Sequence, residues 1–225
     1  MEYQLQENIA IISFDDGSVN AVDFEFAQQI GEFLHQADQE ADAVVLNGNA
    51  KAFSAGYNTK VLATSSNDRS GLVFHGFEML NNLFKFSKPT VAACRGHAIG
   101  LGAFMLLCAD TRIGAKSDYK VSLPETALGM PFTDFLMAIL MHRVNPNDHM
   151  ARIVQSIPCS PEQAVSAGFL DLLVDDTAVL ETAIGAAKQL TELPTAQYAF
   201  NKQHLRAKTA EQLAQFLHDF ETSAI

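Results

Sequence analysis

The stretch Arg95–Asp110, reading Arg-Gly-His-Ala-Ile-Gly-Leu-Gly-Ala-Phe-Met-Leu-Leu-Cys-Ala-Asp, decides how the rest of the chain is interpreted. It follows the apolar run Thr90–Cys94 and passes from a glycine-rich loop into an apolar segment that ends near Ala109. A strand, a loop and a helix in this order leave unpaired N–H groups at the helix start, where the helix dipole favours negative charge. The stretch therefore predicts an anion site, although its glycines are equally suited to packing a buried helix closely on its strand.

The composition indicates one domain with a sizeable core. The chain has 225 residues, of which 48% are hydrophobic, and this length suits a single domain. No apolar run is long enough to span a bilayer, and Met1–Gln4 lacks the basic and apolar regions of a secretory signal. We therefore expect a cytoplasmic protein with no membrane partner.

The charge and the cysteines narrow the choice of partners further. The formal net charge is −11, which argues against nucleic acid or an anionic membrane as the main partner. An anionic small molecule held by local N–H groups and one or two lysines is still compatible with this charge. The three cysteines, Cys94, Cys108 and Cys159, are far apart and lack ligand spacing, so we expect neither disulfides nor structural zinc.

The hydrophobic pattern predicts an α/β fold. Residues Tyr3–Leu5 and Ile9–Phe14 form a predicted hairpin, Ser18–Ala21 leads into a helix with apolar residues on one face from Phe24 to Ala37, and Ala43–Leu46 is typical of a buried strand. Strand, helix and strand in this order indicate a right-handed crossover. Further helices are predicted at Asp68–Phe86, Phe132–Arg143, Asp148–Ser156 and Thr177–Leu190, and further strands at Thr90–Cys94, Arg112–Gly114 and Tyr119–Ser122. The segment Leu170–Val174 is either a strand or an extended connection. A capping box is predicted at Ser160–Gln163, and the start of a last helix at Thr209–Gln212.

Residues 47–60 form a predicted loop rich in small residues. Gly56 can adopt a positive φ there and turn the next N–H, that of Tyr57, toward a ligand. A plain surface loop is the alternative interpretation.

Glu125 is a candidate for proton transfer. It is the only carboxylate between Asp118 and Asp134, and small or apolar residues follow it. Desolvation there would raise its pKa toward the useful range. A carboxylate at a helix N-terminus after Pro124 is the alternative interpretation.

Three segments together resemble the crotonase (enoyl-CoA hydratase/isomerase) superfamily. They are Ala52–Lys60, Gly96–Asp110 and Pro124–Gly129, in this order along the chain. Asn20-Ala21 before the first helix and Ser160–Val174 after the core also fit, so the resemblance covers nearly the whole chain.

The resemblance implies a fold and a class of substrate. The expected fold is α/β of the ClpP/crotonase type, with a core of repeated ββα units over residues 1–190 and a helical C-terminal region over residues 191–225. The implied substrate is a coenzyme A thioester of fatty acid metabolism. Coenzyme A enters only as part of that substrate, with no separate cofactor and no metal, and the implied assembly is a homotrimer or hexamer.

The resemblance also implies roles for individual residues. The oxyanion hole of the family falls on the peptide N–H groups of Tyr57 and Leu101, whose side chains we expect to narrow the pocket. Two preorganised N–H donors can stabilise the enolate of a thioester by several kcal/mol. The segment that contacts the adenosine falls on Ala55, Gly56, Tyr57, Asn58, Thr59 and Lys60, with Lys60 as a phosphate contact.

One departure from the family pattern separates two reactions. Hydratases of the family commonly use two glutamates, of which one falls on Glu125 and the other on Phe104, which becomes a pocket residue. Moving a double bond needs only one base that takes a proton from C2 and returns it to C4. The segment Ser122–Gly129 also resembles the Δ3,Δ2-enoyl-CoA isomerases, so isomerisation is favoured over hydration.

The sequence also bears on other classes of protein. Deacylases, dehalogenases and decarboxylases share the scaffold, so the fold alone does not set the reaction. A serine hydrolase would need a Gly-x-Ser-x-Gly elbow, and this sequence has none, although it contains Ser54, Ser122, His75 and His97. A metal site at His142 and His149 lacks a carboxylate. A non-catalytic acyl-CoA-binding protein is the main rival, and it would not need Glu125.

Overall fold

The computed structural model describes residues 1–63 and 65–223. The strands are β1 (Glu2–Gln6), β2 (Ile9–Phe14), β3 (Ala43–Gly48), β4 (Ala52–Ser54), β5 (Thr90–Cys94), β6 (His97–Ile99), β7 (Thr111–Ala115), β8 (Val121–Ser122) and β9 (Leu172–Val174). The α-helices are α1 (Phe24–Glu40), α2 (Thr59–Leu62), α3 (Ser66–Lys85), α4 (Leu101–Cys108), α5 (Asp134–Arg143), α6 (Pro161–Ala167), α7 (Val179–Thr191) and α8 (Thr195–Ser223). The mixture of helices and mainly parallel strands confirms the α/β prediction.

The strands form two sheets. The larger has the order β1-β2-β3-β5-β7-β9, in which β1 is antiparallel to β2 and the other neighbours are parallel. The smaller has the order β4-β6-β8 and is entirely parallel. Successive pairs β3-β4, β5-β6 and β7-β8 each place one strand in each sheet before the chain turns into a helix. This repetition is the predicted ββα unit.

The most buried elements lie where the two sheets meet the helices. All five residues of β5 and all eight of α4 are buried, as expected for a strand covered on both faces and a helix that is apolar all round. Helix α7 packs across β2, β3, β5 and β7, whereas α4 contacts β4, β6, α3 and α5. Helix α4 is therefore held rigidly next to the small sheet.

Several boundaries differ from the sequence predictions. The three-residue strands β4 and β6 lie inside segments that were predicted to be loops, because their pairing across the chain, and not a local pattern, defines them. The segment Asp148–Ser156 contains short 3₁₀ and π turns in place of a regular helix. The predicted helix start at Thr209 is wrong, because α8 runs without a break from Thr195 and Thr209 is buried within it.

Within the described ranges 1–63 and 65–223, no helix combines the length and the apolar character needed to cross a membrane.

Candidate active site

The small sheet brings the candidate residues together. Its three strands run parallel, so their carboxyl ends point to the same edge, and the chain leaves that edge toward Tyr57 after β4, toward Leu101 after β6 and toward Glu125 after β8. Ile99 pairs with Ser122, and the Gly100 N–H donates to the Ser122 carbonyl at 2.9 Å. Three segments that are remote in the sequence therefore converge at one place.

An isolated parallel β-bridge between Tyr57 and Val22, which lies just before α1, orients the N–H of Tyr57. Val22 donates to the Gly56 carbonyl and accepts from the Asn58 N–H, both at 2.8 Å. In such a parallel bridge the N–H of the middle residue, Tyr57, points to the opposite side, and it finds no acceptor among the described residues. Gly56 has φ of 80°, a value that side chains disfavour. The positive φ predicted for Gly56 is therefore present, and the role of the Tyr57 N–H toward a ligand stays a prediction.

A second free donor comes from the start of α4. Leu101 is the first residue of α4, so its N–H has no acceptor within the helix. Gly100 has φ of 52°, and a Cβ placed on Gly56 would lie 3.2 Å from the Leu101 nitrogen. The segments that carry the two N–H donors are thus in direct contact, as an oxyanion hole requires.

Two buried polar residues hold the loop that carries Tyr57. The Ser54 hydroxyl donates to the Asn20 carbonyl at 2.7 Å and accepts from the Gly56 N–H at 3.2 Å. The Asn20 amide in turn donates to the carbonyls of Phe14 and Ala52, both at 2.9 Å. Sequence reasoning noted Asn20 only as a match to the family and Ser54 only as a possible nucleophile. Their positioning role depends on contacts between distant segments.

The Glu125 carboxyl group is desolvated, as expected from the sequence. The residue is 6% exposed, and burial raises its pKa to about 7. Its Oε2 atom has no hydrogen-bond partner among the described residues, and its Oε1 atom lies 3.6 Å from the position of a Cβ on Gly100. Glu125 stands at the N-terminal end of the short 3₁₀ turn Thr126–Leu128, as the alternative interpretation expects, but its side chain makes no capping hydrogen bond there.

The turn after Glu125 is anchored from outside the small sheet. Glu125 accepts hydrogen bonds from the N–H groups of Leu128 and Met130 through its own carbonyl. The Thr126 hydroxyl donates to the Ile153 carbonyl at 3.3 Å, and the Ala127 N–H donates to the Ser156 hydroxyl at the same distance. These contacts fix the backbone that places the carboxyl group.

Aromatic side chains surround the site on the helix side. Phe104 is fully buried in α4, and its ring centroid lies 6.5 Å from that of Phe132. The Tyr57 ring packs on α3 at Gly76, where its hydroxyl donates to the Val73 carbonyl at 3.0 Å. Burial raises the pKa of Tyr57 well above its usual range, so the phenol is a packing group and not an acid.

In the segment expected to contact coenzyme A, most backbone N–H groups already donate hydrogen bonds within the protein. The N–H groups of Ala55, Gly56, Asn58 and Lys60 donate to acceptors of the protein itself. Thr59 and Lys60 lie at the exposed start of α2. The Lys60 side chain is thus accessible to a phosphate.

The residues considered for other chemistries are not assembled into a second site. His75 pairs with Glu78 at 3.1 Å, and His97 accepts from the Lys120 N–H at 3.0 Å, whereas the Ser54 hydroxyl is bonded to Asn20 and Gly56. His149 contacts the Val144 carbonyl at 3.0 Å, while the His142 ring lies against Phe84. In the part of the chain that the structure describes, no three His, Cys, Asp or Glu side chains are grouped as metal ligands.

Comparison with known proteins agrees with this geometry. The model of the enoyl-CoA hydratase/isomerase family matches residues 4–222. An enoyl-CoA hydratase of Mycobacterium ulcerans is 30% identical, with a TM-score of 0.93 over 98% of this chain and 97% of that one. An enoyl-CoA isomerase of Mycobacterium tuberculosis, in its apo structure, is also 30% identical, with a TM-score of 0.92 over 98% and 97%.

A more distant structure shares the fold. The human mitochondrial Δ3-Δ2-enoyl-CoA isomerase is 22% identical, with a TM-score of 0.85 over 97% of this chain and 90% of that one. The chain belongs to the enoyl-CoA hydratase/isomerase family, the crotonase superfamily, whose members act on acyl-CoA thioesters.

Proposed function

We propose that this protein is an enoyl-CoA isomerase that shifts the double bond of a 3-enoyl-CoA to the 2-trans position. The observation that carries the proposal is the Glu125 carboxyl group, which is buried, lacks a partner on Oε2 and lies beside the segment that carries the free Leu101 N–H. Such a group is suited to hold a proton and to release it again.

The proposed reaction moves one proton and needs no oxidant or reductant. The Glu125 carboxylate removes a proton from C2 of the substrate, and the negative charge moves onto the thioester oxygen. The N–H groups of Tyr57 and Leu101 stabilise that charge, which is typically the largest single contribution in such sites. Glu125 then delivers the same proton to C4, and the double bond becomes conjugated with the thioester.

The surroundings of the proposed site favour proton transfer over hydration. Phe104 occupies the position that the resemblance assigns to the second glutamate of hydratases, and its ring is fully buried. It offers no group to hold a water molecule. Coenzyme A is proposed to bind along Ala55–Lys60 as part of the substrate, with Lys60 near a phosphate, and no separate cofactor is included.

Hydration is the second candidate, because the Mycobacterium ulcerans relative at 30% identity is named an enoyl-CoA hydratase. The two reactions are separated by incubating the purified protein with a 3-enoyl-CoA and, separately, with a 2-enoyl-CoA. An isomerase converts the first to the conjugated isomer, seen by absorbance, without a change in mass. A hydratase adds the mass of one water molecule to the second.

Replacing Glu125 by Gln tests the assigned base. We expect the Glu125→Gln variant to lose about 10²–10⁴-fold in kcat, since this is the usual worth of general acid–base catalysis, while acyl-CoA affinity stays nearly unchanged. The matched control is Glu181→Gln, at an exposed position of α7, and it should keep full activity. Unaltered turnover in Glu125→Gln would contradict the mechanism, and absence of turnover in the unmodified protein would favour a binding role.

A further inference from the structure

A cavity lies at the far end of α4, away from the proposed active site. Its volume is about 470 Å³, and it opens between the end of α5 and the first half of α8. Its wall combines the apolar side chains of Leu193, Pro194 and Leu205 with a group of polar ones, namely Asp110, His142, Arg143, Tyr198, Lys202 and Arg206. Because α4 has eight residues, its two ends are about 12 Å apart, and the cavity is separate from the Leu101 end.

The wall of this cavity carries more positive than negative charge. Asp110 accepts from Lys202 Nζ and from Arg206 Nη2, each at 2.7 Å. Neither cation has a second carboxylate partner within the described chain, and their side chains are only 7% and 5% exposed. Arg143 adds a third charge to the same wall.

The neighbouring ion pair between Arg112 and Asp171 does not neutralise the excess positive charge of the wall. Arg112 and Asp171 form their own bidentate pair next to the cluster, so the four cations of the region face two carboxylates. Arg143 donates through Nε and Nη2 to carbonyls at the end of α4, whose dipole offsets about half a charge. A surplus of this kind in a buried region is costly unless a counter-ion is present.

Arg143 also retains an unused donor. Its Nη1 group has no partner among the described residues, although the side chain lines the cavity. Burial, with added repulsion from neighbouring arginines, lowers the pKa of His142 to about 4 and that of Arg143 to about 10.

We propose that this cavity binds a phosphoryl group or a comparable dianionic oxyanion, free or as part of a small organic molecule. Two negative charges match the surplus of the wall, and Arg143 Nη1 supplies a donor that the fold leaves unused. The exposed side chains of Gln197 and Asn201 line the cavity as well and add amide donors. The volume exceeds the needs of a bare ion and suits a small phosphate ester.

Binding is tested by calorimetry and thermal unfolding of the full chain. The probes are inorganic phosphate and glucose 6-phosphate, with chloride and acetate at matched ionic strength as controls. We expect saturable binding of one phosphate, and a rise in Tm of about 5 °C at a hundredfold excess over Kd. Tighter binding of the sugar phosphate than of phosphate identifies an organic ligand, and equal binding identifies the free ion. Equal effects of phosphate and chloride would overturn the proposal.

Added carboxylates locate the site without disturbing the buried cluster. In Asn201→Asp and Gln197→Glu, the new negative charge competes with the ligand, so we expect phosphate affinity to fall at least about tenfold and Tm in phosphate-free buffer to rise. The control Gln212→Glu makes the same change on the same helix, outside this cavity, and should bind phosphate as the unmodified protein does. Unchanged phosphate binding in either folded cavity variant would overturn the proposal.

Discussion

The buried position of the Glu125 carboxyl group lowers the stability of the folded protein. Its Oε2 atom is buried without a partner, and such a group normally carries a free-energy penalty. Desolvation raises its pKa to about 7, which brings the group to the range in which it can both accept and donate a proton. A structural carboxylate would gain from a hydrogen bond at this position, so the missing partner is itself an argument for function.

The raised pKa predicts the pH dependence of activity. The base must be unprotonated to remove the C2 proton, so kcat/KM should increase with pH through an apparent pKa near 7 and level off above it. A carboxyl group at its ordinary pKa of about 4.3 would give a flat profile over pH 6–8. The measurement is isomerisation of a 3-enoyl-CoA at low substrate concentration across this range.

Two results separate Glu125 from other titrating groups. The residual activity of Glu125→Gln should lack the inflection near pH 7, because the amide does not titrate. An inflection that persists in this variant would assign the pKa to another residue. The sign is the reverse of that for a catalytic acid, whose activity would fall as the pH increases.

At the scale of elements, the contact between α4 and β4 sets the distance between the two N–H donors. A Cβ on Gly102, in the first turn of α4, would lie 2.1 Å from the Ser54 carbonyl oxygen. Ser54 also hydrogen-bonds the Gly56 N–H. The close approach of the helix to the strand therefore depends on a residue without a side chain.

Replacing Gly102 by Ala should push α4 away from β4. We expect a loss of about 1–3 kcal/mol in the free energy of unfolding, which is the usual cost of overpacking a core, and a fall in kcat because the proposed oxyanion hole is displaced. The control is Gly185→Ala in α7, where a Cβ would meet no atom within 4 Å and should add about 0.5–1 kcal/mol. Urea unfolding and turnover check both variants, and equal stability of the two would refute the packing argument.

The elements also show how far sequence reasoning reaches. The long periodic segments were predicted well, because their pattern is local: α1 buries Ala27, Ile30, Leu34 and Ala37 of the predicted apolar face, and β5 covers Thr90–Cys94, as expected. The strands β4 and β6 were missed, since three residues carry no pattern and only pairing defines them. The capping pattern at Thr209 wrongly predicted a helix start. No proline or glycine precedes it within α8, so the helix continues through this position.

The candidate site was predictable to a similar degree. Tyr57, Leu101 and Glu125 came from the motifs and the family resemblance, and the structure brings their segments together. The brace of Asn20 and Ser54 was missed, because it joins residues 34 positions apart. The glycines of the opening stretch served both suggested purposes: Gly100 turns the backbone with a positive φ, whereas Gly102 permits close packing.

At the scale of the whole molecule, one carboxylate ties the C-terminal helix to the core. Asp110, at the end of α4, accepts from Tyr198, Lys202 and Arg206 of α8 and from Thr90 of β5. Although burial opposes it, the charges of Lys202 and Arg206 hold the pKa of Asp110 below its usual range. This stabilisation is present above the ordinary pKa of an aspartate and is lost as the pH falls through the lower pKa of the folded state.

Replacing Asp110 by Asn should therefore weaken the attachment of α8. The amide keeps the shape but leaves Lys202 and Arg206 buried without a counter-charge, and breaking a buried ion pair in this way typically costs about 3–5 kcal/mol. The control is Asp176→Asn, whose partner Arg95 is part-exposed at 31%, so its loss should stay below about 1 kcal/mol. Urea unfolding measures both, with proteolysis within α8 as a local probe. If the two variants lost equal stability, the Asp110 cluster would not anchor the helix, and α8 would be held by its apolar contacts with α3 and α5 alone.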